Sequence, residues 1–157
     1  MSIKSRALLD KVRKANLGNE LLWVDAVGRE EPLKLDLCKT LSRGLQECPT
    51  SGLLWSMAVW AEPRASRKTK GVDALRKTKD SPLVVCTVAR VLWADRAIER
   101  AREWFARATA TDPDLGDVWA WWLKFERQHG TEVRPDFLLY SAECYSLIRY
   151  LGTTRVS

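Results

Sequence analysis

Apolar residues recur along this chain at helical spacing. In the segment 116–129, GDVWAWWLKFERQH, Val118, Trp122, Phe125 and His129 fall at i, i+4, i+7 and i+11, one side of a helix. Trp119, Leu123 and Phe125 carry apolar surface onto other sides as well, so such a helix needs neighbours on at least two sides. Asp114 is expected to cap its first turn, Asp117 to complement the positive end of the helix dipole, and Gly130 to end it in the left-handed conformation.

The same spacing predicts helices over 5–15, 20–29, 32–47, 53–62, 72–79, 83–94 and 96–111. Gly18 is a stop after the first, Pro32 opens the third, and Pro63 ends the fourth because its ring cannot continue the hydrogen-bond ladder. Asp80, Ser81 and Pro82 provide a cap and a first-turn proline for the helix over 83–94. Residues 64–70 read as a basic loop. A further amphipathic helix is expected over 136–150, through Leu138, Leu139, Ala142, Tyr145 and Ile148.

These elements repeat. Aligned on the first large residue, Trp23, Trp55, Val85 and Trp119 stand in register at separations of 32, 30 and 34 residues. Glu30, Glu62 and Glu126 each follow their Trp by seven positions. Pro49 and Pro113 precede theirs by six, and Arg43 and Arg107 precede those prolines by six. A period near 34 residues marks a helical-repeat array. The expected fold is therefore all-α, a solenoid of about four helix pairs with each repeat Trp buried between successive pairs. The array is expected to occupy 1–132, with 133–157 as a divergent C-terminal helix and tail. The apolar surface of that last segment, Phe137, Leu138, Leu139, Tyr145, Ile148 and Tyr150, is expected to drive self-association.

Composition narrows the function classes. The chain has 157 residues and a formal charge of +6, enough for one domain with a real core and suited to an acidic or nucleic-acid partner. Most of the excess is local: Arg64, Arg67, Lys68, Lys70, Arg76, Lys77 and Lys79 face only Asp73 and Asp80 between positions 64 and 80. That stretch is the candidate contact for RNA or an acidic protein surface, against the plainer reading of a solvated loop and helix face with no aromatic residue interleaved. Cys38, Cys48, Cys86 and Cys144 show no CxxC or Cys-His clustering, so they read as reduced thiols, with no metal or cofactor site. No apolar run approaches a membrane span and no secretory leader is recognisable, which points to a soluble intracellular protein.

Eight Trp could stack single-stranded bases. Recurrence in register between Leu and Val favours core instead, with Trp121 the candidate for exposure. The repeated glutamates occur one per repeat, with no shared pocket, so a structural ion pair with an arginine such as Arg43 or Arg107 is expected in place of paired acid and base. His129 reads as a helix-end residue. No phosphate loop, nucleophile elbow or small-molecule site is apparent, and the chain reads as non-catalytic.

The repeated Trp, the Glu seven later and the following Arg and Pro resemble the half-a-TPR repeat of RNA-processing scaffolds. More narrowly, GLQECPTSGLLW at 44–55, VDALRKTK at 72–79 and AREWFARATATDPDLGDVWAWWLKFERQHGT at 101–131 resemble the C-terminal repeats of the pre-mRNA-processing factor six family. The resemblance implies a nuclear, non-catalytic scaffold that binds spliceosomal snRNP proteins and bridges the U5 and U4/U6 particles of the tri-snRNP. The chain departs from that pattern at Leu17, where a loop proline is expected, at Val85, and from Val133 onward. Because the family's arrays are much longer, the resemblance also implies a fragment, a truncated product or a short divergent relative.

Overall fold

The computed structural model describes residues 3–30 and 34–130, and every regular element among them is a helix. In order these are α1 (Ile3–Ala15), α2 (Glu20–Glu30), α3 (Lys34–Glu47), α4 (Gly52–Ala61), α5 (Arg67–Thr78), α6 (Pro82–Ala94), α7 (Ile98–Thr111) and α8 (Gly116–His129). The expected helix over 136–150, its self-association, the boundary at 132/133 and Cys144 lie outside the described residues. The chain divides into two compact units, one ending at Val84 and one beginning at Val85, so the boundary falls inside α6.

In the first unit α1 packs on α2, α2 on α3, α3 on α4 and α4 on α5, and α2 also reaches α4. Neighbour contacts plus a contact to the next-but-one helix are the pattern of stacked helix pairs. Trp23, Val27, Leu41, Cys48 and Leu54 form the core, with Val24, Leu37, Leu45, Met57 and Ala61 packed around it. Gly44 lets α3 approach the Trp23 ring: a methyl group there would stand 3.2 Å from two ring carbons. The Ser51 hydroxyl caps α4 by accepting from the Leu54 N–H at 3.2 Å, and donates to the Glu20 carboxylate at the start of α2.

In the second unit α7 packs on α8. Phe105 and Phe125 are fully buried with ring centroids 5.3 Å apart, and Trp93 meets Phe125 edge-on at 5.4 Å. Val118 and Leu123 complete the buried side of α8. Val85, which stands where the other repeats have Trp, is fully buried.

Several local expectations give way to other geometry. Segment 64–70 is not wholly a loop, because α5 begins at Arg67 and is a full helix of 12 residues. Asp114 does not cap α8. Leu115 holds the cap position with no side-chain bond, and the Asp112 carboxylate accepts from the Asp114 N–H in the preceding turn. Gly130 is extended (φ −81°, ψ 141°) rather than left-handed. Its N–H still donates to the Glu126 carbonyl at 2.6 Å, the same oxygen a β-carbon would strike. Among the described residues, the left-handed positions are Gly18, Lys79, Asp80 and Arg96.

Candidate functional site

The repeat residues do three separate jobs. Trp55 and Trp119 are half-buried, not enclosed as expected, because each indole N–H turns outward to donate to the carbonyl of its own upstream proline. The distances are 2.8 Å to Pro49 and 2.8 Å to Pro113. The six-residue spacing thus closes a latch across the turn that precedes each helix. Trp23 has Leu17 in the proline position and no such latch. It is 5% exposed, and its N–H donates to the Glu47 carboxylate at 3.1 Å.

Two of the repeated acids, Glu62 and Glu126, are ion-paired, with other cations than expected. Glu126 takes Arg102 Nε at 2.8 Å and Nη2 at 3.3 Å, a two-point grip, and accepts the Trp122 N–H at 3.1 Å. Arg102 also holds the Glu99 carboxylate at 3.0 Å and the His129 carbonyl at 3.4 Å. The bonds from Glu126 push the Arg102 guanidinium above its ordinary range, so it is a fixed cation at every accessible pH. Arg107 lies over the Trp104 ring of its own helix at 5.1 Å. Five residues at 100° each separate Arg102 from Arg107 by about 140° around α7, so the two point to different sides. Glu62 pairs with Lys70 at 3.5 Å, and Arg43 is exposed on α3. The Glu30 side chain lies outside the described residues.

Within the basic stretch, the cations differ in exposure, and two of them lie against α4. Arg67 donates to the Glu62 and Trp60 carbonyls at 3.0 and 3.3 Å and covers the Trp60 ring at 4.7 Å. Lys70 pairs with Glu62 and stands 5.6 Å from the Trp55 ring. Aromatic partners absent from the stretch itself are therefore supplied by α4. Arg64, Lys68, Arg76, Lys77 and Lys79 are exposed, and among them on the same helix sits Val72, 54% exposed. Sequence reasoning passed over Val72. Its signal was its place four residues after Lys68 and four before Arg76, facing away from buried Gly71 and Ala74.

In the second unit Trp121 is half-buried beneath Arg90, whose guanidinium carbon is 3.6 Å from the ring centroid, with Lys124 at 5.0 Å. Burial lowers the Arg90 pKa from the ordinary arginine value. His129 ends α8, where its Nε2 accepts the Trp93 N–H at 2.9 Å. That acceptor requires an imidazole unprotonated at Nε2. Cys86 is a core thiol pushed up to about 12 by burial, and Cys38 is exposed. Among the described residues no group of three or more His, Cys, Asp or Glu is placed to hold a metal, and no helix is long and apolar enough to cross a membrane.

No family model matches the chain. Among individual proteins, it is 41% identical over 145 residues, 90% of its own length, to the pre-mRNA-splicing factor prp1 of Schizosaccharomyces pombe. It is 51% identical over 73 residues, 46% of its length, to the human pre-mRNA-processing factor 6. The pre-mRNA-splicing factor 6 of Saccharomyces cerevisiae is 26% identical over 125 residues, 76% of the chain. The chain spans 16%, 8% and 14% of the lengths of these three proteins. At 41% identity along 90% of its length, the chain belongs to the family of pre-mRNA-processing factor 6 and prp1.

Proposed function

We propose that the chain is a non-catalytic protein-protein scaffold of nuclear pre-mRNA splicing, contacting snRNP proteins and contributing to the bridge between the U5 and U4/U6 particles. The observation that carries this reading is the match to a splicing factor along 90% of the chain. The geometry supports it. The repeated acids Glu62 and Glu126 are held in ion pairs with Lys70 and Arg102, and the indoles of Trp55 and Trp119 in their own turns, while the outer helix faces stay available to partners. The alternative is a repeat module that contacts RNA directly through the 64–79 segment, favoured by the exposed Arg76, Lys77 and Lys79. Capture from nuclear extract separates the two. Retention of snRNP proteins on the immobilised chain after ribonuclease treatment is the expected result; their loss on ribonuclease treatment would favour the RNA module.

A further inference from the structure

The outward side of α5 combines charge with one apolar contact point. Lys68, Val72 and Arg76 succeed one another at four-residue intervals, an arc of about 80° on a helix, and Lys79 follows at the helix end. All four are exposed, whereas the opposite side carries buried Gly71 and Ala74 and is pressed on α4. Asp73 lies about 100° around the helix from Val72 and Lys77 about 140°, both off the stripe. Lys79 is held at φ 51° and ψ 52°, where glycine would be free of strain, yet a long cation occupies it. Its charge and that of Arg76 do favour the negative end of the helix dipole, which offsets part of that strain.

From this arrangement we infer that the outer face of α5 docks an acidic protein segment whose apolar side chain seats on Val72 between the Arg76 and Lys68 cations. The inference rests on the scaffold reading and names the chemistry of one partner. Charge complementarity selects an acidic occupant: between positions 64 and 80 the chain has seven cations and two carboxylates. Arg67 and Lys70 lie on α4, and Lys68, Arg76 and Lys79 are the exposed cations along the outward stripe. Protein is favoured over RNA by what the cations surround. Nucleic-acid grooves pair cations with open aromatic faces, but the indoles nearest this helix, Trp55 and Trp60, are half-buried and already carry Lys70 and Arg67. The exposed apolar group is aliphatic, a fit for Leu or Ile. Twelve residues of α5 present a strip about 18 Å long, matching about three turns of a partner helix.

The test uses the whole chain and three fluorescent probes of about 15 residues or nucleotides: a Glu/Leu peptide with Leu at helical spacing, an all-Glu peptide, and oligouridylate. At low salt the Glu/Leu peptide is expected to bind tightest by fluorescence anisotropy. Val72→Ser should erase its advantage over the all-Glu peptide, and Arg76→Glu with Lys79→Glu should weaken both peptides by roughly tenfold. Both variants are surface changes, and unchanged far-ultraviolet circular dichroism establishes that they fold. Tighter binding of oligouridylate, or a Glu/Leu preference that survives Val72→Ser, overturns the inference. Capture of snRNP proteins by the same variants separates its failure from that of the scaffold reading. If the double variant loses the peptide but keeps every snRNP protein, the scaffold stands and the α5 site is refuted. If the unaltered chain binds the peptide as expected but captures no snRNP protein, the α5 site stands and the scaffold reading fails.

Discussion

Arg102 grips two carboxylates at once, and the structure ranks them. Its side chain is 33% exposed; that of Glu126 is 12% exposed and that of Glu99 82%. Charge-assisted hydrogen bonds contribute about 1.5–3 kcal/mol when shielded, and exposed pairs about 0.2–1 kcal/mol. With one partner shielded and the other a third open, the Glu126 coupling should fall at about 1–2 kcal/mol, and the Glu99 coupling at about 0.3 kcal/mol, the value of an exposed pair one helical turn apart. Two double-mutant cycles read this directly: Arg102→Met against Glu126→Gln, and Arg102→Met against Glu99→Gln. Hydrogen exchange of peptides from α7 and α8 reports the second unit without averaging over the first. Added salt should remove most of the Glu99 coupling and spare most of the Glu126 coupling. Equal couplings in the two cycles, or a Glu126 value below about 0.5 kcal/mol, would show that the pair is in effect solvated and the two-point grip energetically empty.

Phe125→Ala should cost about 3–5 kcal/mol in urea denaturation, because the ring is fully buried against Phe105 and Trp93 and its removal leaves a cavity in the core. Two glycines should respond oppositely to alanine: Gly28→Ala, with open space around it, should stabilise α2 by about 0.5–1 kcal/mol, whereas Gly44→Ala should lose more than that gain against the packed Trp23 ring. Thermal scans of the pair check both signs. The Cys86 thiol, raised from 9.0 to about 12 in the folded chain, contributes its full stability below pH 9. Above that, the unfolded chain ionises first and stability falls by up to about 1.4 kcal/mol per pH unit until pH 12, so the gap between the native chain and Cys86→Ala should narrow across that window. Iodoacetamide should label Cys38 well before Cys86.

The helices were legible wherever large apolar residues kept their 3.6-residue rhythm, as in α8 with Val118, Trp122 and Phe125. They were not legible at the start of α5, where residues 64–70 contain no large apolar side chain to set a phase. That turn is helical because Arg67 and Lys70 lie on indoles from α4, a tertiary contact that no local pattern encodes. Sequence spacing identified the repeated acids but not their partners. Arg107 shares a register with Arg43 along the chain, yet it is Arg102, elsewhere around α7, that reaches Glu126. The same gap hid Val72, since exposure of a lone valine depends on which side of its helix meets α4.

The Trp-to-proline latch also ties each of two helices to the turn that precedes it. Where the chain has proline six residues ahead, at 49 and 113, an indole closes on its carbonyl. Where it has Leu17, the indole of Trp23 turns to Glu47, and Gly18 at φ 82° makes the bend instead. Where it has Lys79, in a left-handed conformation forbidden to proline, the later position is no longer Trp but a buried valine. The acceptor is a main-chain carbonyl that any residue supplies, so the proline contributes its fixed φ to the turn and not the oxygen: Pro49→Leu should loosen the turn and with it the bond, and Trp55→Val should leave the exposed Pro49 carbonyl to water. The third turn is built another way, with Lys79 and Asp80 in left-handed backbone ahead of the buried valine. Corners of this chain are thus closed by two different devices, an indole bonded to an upstream carbonyl or left-handed backbone.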